Sequence, residues 1–338
     1  MNLTQLKEKF ANSVFCRNKR LQSKVPLKFP FVVNLELTNI CTENCIWCPQ
    51  ESMTRPRGFM QFDLFKKLID EMAQHQKLRR LYIHWMGEPL LHPQFLDFIE
   101  YAKKKNVAEM IVIATNGVLL NESNMKKLIE LQIDELYISI DAGSAETYKQ
   151  LKNTDNFDTI SENIKRASAL KKKMKSQLPY LKVKFLETDA NFHEKQIFKK
   201  LMSKVVDEVY YEKDLSTWDG TNERVNKYIN GMKCYLNNYG NLVKRYPCDR
   251  LWYSLAVNWE GKVFPCVCDW NGNSSIGDAN SELLGDVWYN DQLVNLRKLH
   301  LDGRFAEVGL CRECTKWGKR NMGDWLTNNK ERAISRPR

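Results

Sequence analysis

Three cysteines fall within eight residues, Cys41, Cys45 and Cys48 in CTENCIWC, directly before Pro49. An iron–sulfur cube presents four iron corners and takes thiolates as its usual protein ligands, so a loop with three leaves one corner open. An open coordination position is where a substrate or cofactor binds, as it is at a catalytic zinc centre. Zinc is the competing reading, but C-x3-C-x2-C without a nearby fourth Cys or His is an incomplete set for a tetrahedral ion. A second set follows much later: Cys248, Cys266, Cys311 and Cys314, spaced C-x17-C, a long gap, then C-x2-C. Four thiolates can fill every corner of a cluster or close a zinc site, and spacing alone does not choose.

The elements that must position these groups can be read from periodicity. FVVNLELTN (31–39), RRLYIHWM (79–86), EMIVIATNG (109–117), DELYISID (134–141), YLKVKFLET (180–188) and VDEVYYEKDL (206–215) are short β-branched and aromatic runs. Helical patterns alternate with them: FDLFKKLIDEMAQ, PQFLDFIEYAKKK, ESNMKKLIELQ, a long piece over about 144–175, and EKQIFKKLMSK. Six such units predict an α/β fold with a parallel sheet and outer helices, either doubly wound or an incomplete barrel, with active groups at the C-terminal strand ends. Polar punctuation falls there: the cysteine loop, MGEP (86–89), TNG (115–117) and SIDAG (139–143). After about residue 216 the alternation stops, and a stretch rich in Gly, Asn, Trp and Cys predicts a second, smaller domain.

CTENCIWC resembles the C-x3-C-x-aromatic-C signature of the radical S-adenosylmethionine (SAM) enzymes, and the strand-end motifs extend the likeness across 31–215. The resemblance implies an incomplete (β/α)6 TIM-like barrel. It also implies a [4Fe-4S] cluster on Cys41, Cys45 and Cys48, whose open iron is chelated by SAM. Reductive cleavage of SAM would give a 5′-deoxyadenosyl radical that takes a hydrogen atom from the substrate. Trp47 stands where the family contacts adenine. Gly87, Glu88 and Pro89 match the G-G-E-P segment that holds the methionine amino group, with Met86 in place of the first Gly. Ser139 and Asp141 resemble the S-x-D-G segment that meets the SAM ribose and carboxylate. Lys152 of TYKQLK stands where many relatives have Arg, keeping the charge but losing the fork. Asn116 of TNG is expected in the same pocket, though T-N-G can equally be a turn.

The second set, within PCDRLWYSLAVNWEGKVFPC and LCRECTKW, reads as a β-hairpin with an N-W-E-G turn, a helix at about 286–300 and a terminal cysteine pair. It resembles the shortened SPASM domain called twitch, which implies one auxiliary [4Fe-4S] cluster and electron transfer as its task. Domain boundaries are expected at 1–30 (basic helical segment), 31–215 (barrel), 216–247 (linker), 248–316 (twitch) and 317–338 (basic tail). Cys268 has three readings: an alternative ligand, a small buried residue, or a thiol that returns a hydrogen atom to a substrate radical. Cys16 reads as incidental, and Cys234 as a core residue or a near-site thiol. His84 is expected to face the pocket as a substrate contact or a satisfied core histidine. The Lys-rich LKKKMKSQ (170–177) reads as a solvated helix end, and Trp252, Trp259, Trp270 and Trp288 as a shield for the second cluster.

Charge and composition bound the rest. The net charge is +11, but residues 1–24 carry +5 and 317–338 carry +4, which leaves +2 for the remainder. This favours two solvated basic ends over a nucleic-acid surface. No apolar run suits a membrane span or a secretory signal, so cytoplasmic placement with reduced thiols is expected. Taken with the resemblance, the expected function is a two-electron oxidation of a small carbohydrate-like or peptide substrate, the auxiliary cluster accepting the electron. A flavodoxin- or ferredoxin-type donor would supply the reductant. The roughly 30 residues before the barrel are too few for a winged-helix peptide-recognition domain, which favours the carbohydrate-like class. Redox-neutral epimerisation with a cysteine hydrogen donor is the rival within enzymes, and a zinc-stapled nucleic-acid-binding protein the rival outside them.

Overall fold

The computed structural model of the chain describes residues 24–212, 245–312, 314 and 325–336. The expected N-terminal helix, Cys16, Cys234, most of the linker and the first part of the basic tail lie outside the described residues. All six expected barrel strands form: β1 Val32–Leu35, β2 Arg80–Tyr82, β3 Ile111–Thr115, β4 Glu135–Ser139, β5 Tyr180–Leu186 and β6 Glu208–Glu212. Helices α1 Phe62–Gln74, α2 Phe95–Lys105, α3 Glu122–Glu130, α4 Ala145–Lys152, α5 Phe157–Lys173 and α6 Lys195–Met202 occupy the connections.

Alternation explains why these runs become strands with two different faces. Leu136 and Ile138 of β4 and Val183 and Phe185 of β5 join one apolar core with Phe65, Phe98 and Ile160 from the helices. The residues between them, Glu135, Tyr137, Lys182 and Lys184, point the other way, as the two-residue period of a strand requires. Helix α1 buries Phe65, Leu68, Ile69 and Met72, the three- and four-residue spacing of one helical stripe.

Strand order decides between the two parallel architectures. The sheet runs β6-β5-β4-β3-β2-β1, each neighbour parallel and in chain order, which is a barrel arrangement and not a doubly wound one. Among the described residues β6 pairs only with β5, so the barrel is incomplete. On the far side of β1 the sheet continues: β7 Ser254–Val257 pairs parallel with β1 from Val32↔Ser254 to Leu35↔Val257. An antiparallel hairpin joins β7 to β8 Lys262–Phe264, with Gly261 at φ 89° in the expected turn, and β9 Gly277–Asp278 completes nine strands. A short helical turn α7 Leu284–Val287 and helix α8 Asp291–Leu301 follow.

Three local expectations are corrected. The long helix over 144–175 is two helices, because Asn153 adopts a left-handed φ of 56° and closes α4; Asn is tolerated there. Lys171, in the stretch read as solvated, is buried and paired with Asp207. None of the four tryptophans lines the cysteine cavity described below: Trp252 donates to the Ala333 carbonyl, Trp288 to that of Leu27 and Trp259 to that of Pro56.

Candidate active site

The cysteine loop leaves the top of β1 and is pinned by backbone bonds to the end of α4: Asn44 N–H to the Lys152 carbonyl at 3.1 Å and Ile46 N–H to that of Leu151 at 3.0 Å. Buried Glu43, between Cys41 and Cys45, accepts from Thr154 Oγ1 and from Asn156 Nδ2 at 2.8 Å. Cys41, Cys45 and Cys48 stand within electrostatic reach of one another. Burial pushes Cys41 and Cys48 up to about 12, and Cys45 up as well. Such thiols ionise only beside a strong positive charge, which a metal centre provides.

The strand-end motifs meet this loop. Glu88 N–H donates to the Ile40 carbonyl at 2.9 Å, and a Cβ on Gly87 would stand 2.3 Å from the Thr38 carbonyl oxygen, so only glycine fits. The Glu88 carboxylate accepts from Leu90 N–H, Thr115 Oγ1 and Asn116 N–H at 3.1, 2.8 and 2.6 Å. Burial still raises it to about 7. A carboxylate has about four acceptor positions, and one remains for a donor such as an amino group. Pro89 opens a short 3-10 turn that Glu88 caps. Asn116 directs its amide to Thr42 Oγ1 at 2.7 Å and to Cys41 Sγ at 3.6 Å, toward the loop.

On the opposite wall Asp141, at φ 61°, is wholly buried. Its carboxylate accepts from Leu186 N–H at 2.8 Å, Ser139 Oγ at 2.7 Å and Lys152 Nζ at 2.5 Å. Burial opposes ionisation, yet Lys152 and Lys184 hold this carboxyl below the usual range. The Lys152 ammonium also lies 4.9 Å from the centre of the Trp47 ring, which packs against Leu151 and Leu186. Asp141 therefore spends its acceptor capacity on fixing Lys152 and the start of the loop after β5, a positioning task that the motif alone does not convey.

Beneath these groups lies a cavity of about 460 Å³ inside the half-barrel. Its walls come from the inner strand faces: Tyr82 and His84 beyond Arg80, Tyr137 above Glu135, Lys182, Tyr210 and Glu212. Ser139 follows Tyr137 two residues later on the same face of β4, roughly 7 Å further up. His84 lines this cavity, accepts from Ala114 N–H on Nδ1 at 3.1 Å, and is pushed down to about 4 by burial. It is a neutral imidazole with its proton on Nε2, and the Val112 carbonyl lies within its hydrogen-bonding reach.

The second set also converges. Cys248, Cys266, Cys268, Cys311 and Cys314 line one small cavity walled by Leu251, Pro265, Leu296 and Leu310. These aliphatic side chains, not tryptophans, exclude water from it. Cys268 joins this cavity and is not among the residues lining the barrel cavity. No three His, Cys, Asp or Glu among the described residues are arranged to hold a single metal ion, and the Cys268 thiol stands within hydrogen-bonding reach of Cys266 and Cys314. Between the two cavities lies Arg250, which lines the barrel cavity and stands within electrostatic reach of Cys248, Cys266 and Cys268.

Comparison with known proteins bears directly on this arrangement. The family model of the radical SAM superfamily matches residues 35–189, and that of the SPASM iron–sulfur cluster-binding domain matches 248–315. The chain belongs to the radical SAM superfamily. It is a radical SAM enzyme that uses SAM and a [4Fe-4S] cluster, with an auxiliary iron–sulfur cluster in its SPASM domain. It is 27% identical over 289 residues to the tungsten-containing aldehyde ferredoxin oxidoreductase cofactor-modifying protein of Pyrococcus furiosus, covering 76% of this chain and 80% of that one. It is 22% identical to the S-adenosyl-L-methionine-dependent 2-deoxy-scyllo-inosamine dehydrogenase of Niallia circulans, covering 84% and 92%. The crystal structure of BtrN in complex with AdoMet and 2-DOIA shares the fold, with a TM-score of 0.55 at 19% identity over 85% and 92% of the chains. Streptococcus suis SuiB bound to precursor peptide SuiA has a TM-score of 0.61 at 15% identity, over 81% and 68%.

Several residues of this radical SAM enzyme escaped the sequence reading. Glu43, Thr154 and Asn156 hold the cysteine loop, and the Glu lying between the cysteines was the one local sign. Arg55 makes a two-pronged ion pair with buried Glu36 and donates to the Trp270 carbonyl at 2.9 Å, while Trp85 Nε1–H reaches the Val267 carbonyl. These contacts seat the Cys266–Trp270 segment on the barrel mouth. No helix among the described residues is long and apolar enough to cross a membrane.

Proposed function

We propose that this radical SAM enzyme oxidises a small, hydroxyl-bearing, carbohydrate-like molecule by two electrons in the reducing cytoplasm. The observation that carries the reading is the barrel cavity, whose wall offers the hydroxyls of Tyr82, Tyr137, Tyr210, Tyr253 and Ser254 together with two carboxylates, Glu135 and Glu212, and three cations, Arg80, Lys182 and Arg250. Mixed donors and acceptors beside aromatic faces suit a polyol or aminocyclitol ring better than an apolar side chain. The dehydrogenase relative acting on 2-deoxy-scyllo-inosamine supports the same class.

In this reading Cys41, Cys45 and Cys48 hold the SAM-binding cluster, and Cys248, Cys266, Cys311 and Cys314 the auxiliary [4Fe-4S] cluster, with Cys268 beside them. Held at the first loop, the reduced cluster and SAM would supply the radical chemistry that removes a hydrogen atom from a substrate C–H. Glu88 accepts from the methionine amino group, backed by Gly87 and Pro89. Asn116 and Ser139 present polar groups to SAM, Lys152 presents its charge under the orientation that Asp141 imposes, and Trp47 flanks the adenine. His84 donates Nε2–H to a substrate oxygen and holds it below the radical source. Net, CH–OH and SAM give C=O, methionine, 5′-deoxyadenosine and a proton. A flavodoxin- or ferredoxin-type donor would supply the electron that SAM cleavage needs, and the group held by Cys248, Cys266, Cys311 and Cys314 would accept the electron that the substrate gives up.

Anaerobic reconstitution followed by incubation with dithionite and a panel of aminocyclitols and sugars tests this. The expected result is 5′-deoxyadenosine formed in step with a product lighter by two hydrogens. A product of unchanged mass with one solvent deuterium would replace oxidation by epimerisation, and failure to cleave SAM would end the reading.

A further inference from the structure

His300 sits on α8 with 1% of its surface exposed, at the wall of the cysteine cavity. Its two ring nitrogens are both engaged, and by different cysteines. Nδ1 lies 3.2 Å from the backbone nitrogen of Cys248, and Nε2 lies 3.3 Å from Cys311 Sγ. A backbone N–H can only donate, so Nδ1 must be bare. The single proton of the neutral ring is therefore on Nε2 and aimed at sulfur. The opposite tautomer would set two N–H groups against each other and leave the thiolate without a donor.

Packing fixes the orientation as well as the proton. The Phe305 ring meets the imidazole edge-on at 5.1 Å between centres, and the Arg245 guanidinium lies 4.7 Å over Phe305 while donating to the carbonyls of Cys311 and Arg312. The short helix carrying Cys311, Gly309–Arg312, is thus clamped from outside while His300 holds its sulfur from within.

Hydrogen bonds to cluster sulfur and exclusion of solvent are the protein's main controls over the potential of an iron–sulfur centre. A donor withdraws electron density from the thiolate and favours the reduced, more negative cluster. We propose that His300 is a positioning and redox-tuning residue for the auxiliary cluster: by donating Nε2–H to Cys311 it raises the reduction potential, so that the cluster takes up the electron released by the substrate. This rests on the reading of Cys248, Cys266, Cys311 and Cys314 as ligands. It adds a residue that touches neither substrate nor SAM and sets the direction of electron flow.

The test uses the full-length chain with Cys41, Cys45 and Cys48 changed to Ala, so that one cluster remains, titrated potentiometrically with EPR detection. Absence of iron from this background would refute the ligand reading itself. With the cluster present, His300→Leu should lower the potential by about 59 mV, a tenfold change in the oxidised-to-reduced ratio for one electron. His300→Gln, whose amide can still donate near the Nε2 position, should restore at least half of the loss. Equal potentials in all three proteins, or equal shifts in Leu and Gln, would overturn the tuning role. Loss of the cluster in both variants leaves a wild-type measurement decisive. The chain has five histidines, and His300 is the one lining this cavity. Pulsed EPR of the reduced cluster in 15N-histidine-labelled protein should therefore show a nitrogen coupling, and its absence would overturn the proposal.

Discussion

The indole of Trp85 donates its Nε1–H to the carbonyl of Val267 at 2.7 Å. Trp85 directly follows His84 in the loop after β2, and Val267 stands between Cys266 and Cys268 and lines the barrel cavity. One hydrogen bond therefore joins the wall of the proposed substrate cavity to the backbone of the auxiliary cysteines. Trp85→Phe keeps the aromatic body and removes the donor. The expected cost is about 1 kcal/mol of stability, with iron content unchanged. The ratio of product to 5′-deoxyadenosine should fall, because the acceptor segment loses its registration with the cavity. An unchanged ratio would show that the bond serves folding alone.

Glu88 gives a pH signature in the protein free of SAM and cluster. Its carboxyl is raised from 4.5 to about 7 by burial, so between those values the folded state holds a proton that the unfolded state has released. Stability then falls as pH rises across that window, by roughly 3 kcal/mol in total for a shift of this size. Thermal melts from pH 5.5 to 8 should show this slope in wild type and not in Glu88→Gln, and parallel profiles would count against it. SAM affinity should rise over the same range, since the ionised carboxylate is the better acceptor.

The Lys152–Asp141 pair is buried on both sides, with side chains 2% and 0% exposed. Lys152→Met leaves the carboxylate without its counter-charge, and removing one partner of such a pair typically costs about 3–5 kcal/mol. Adding Asp141→Asn, which tolerates the left-handed backbone, should recover part of that loss. Denaturant unfolding of the two variants measures it; a double variant no more stable than the single would show that the pair is not coupled.

Metal content should separate by cysteine set. Two cubes give about eight iron per chain, and replacing Cys41, Cys45 and Cys48 by Ala should remove about half and abolish SAM cleavage. Replacing Cys248 and Cys266 should remove the other half and leave slow SAM cleavage without product. Iron analysis and 5′-deoxyadenosine assays read both, and loss of all iron from either variant would refute two independent sites.

Gly87→Ala tests the fit of the strand-end motif. The new Cβ would meet the Thr38 and Ile40 carbonyl oxygens at 2.3 and 2.6 Å, and backbone atoms cannot swing aside as a side-chain tip can. SAM binding should be lost and the melting temperature lowered; wild-type affinity would show that the loop has room the geometry denies.

Much of this was legible because the signals are local. The first three cysteines lie within eight residues, and each of the first four strands ends on its own polar motif, so order along the chain maps onto position around the barrel mouth. What escaped depends on partners distant in sequence. Nothing near Lys171 announces that Asp207 will neutralise it, so a lysine run read as solvated. Asn153 ends α4 through a backbone angle, although the apolar spacing continues past it into α5. His300 looks like an ordinary residue in QLVNLRKLH, since its two cysteine partners arrive from a loop before β7 and a short helix after α8. Tryptophans near cysteines suggested a shield, but the indole N–H groups of Trp252, Trp259 and Trp288 are drawn to carbonyls elsewhere, that of Trp270 meets no acceptor among the described residues, and plain aliphatic chains close the cavity.

The parallel pairing of β1 with β7 has a consequence for how this molecule could have been assembled. A module attached by a tether can be exchanged or deleted without harm to its host, whereas here removal of the C-terminal portion would strip β1 of its four-residue partner and bare a row of unpaired amides. Bared strand margins recruit other chains. Truncation before β7 should therefore yield aggregates and not a free-standing half-barrel, and graft junctions between relatives would have to preserve that seam.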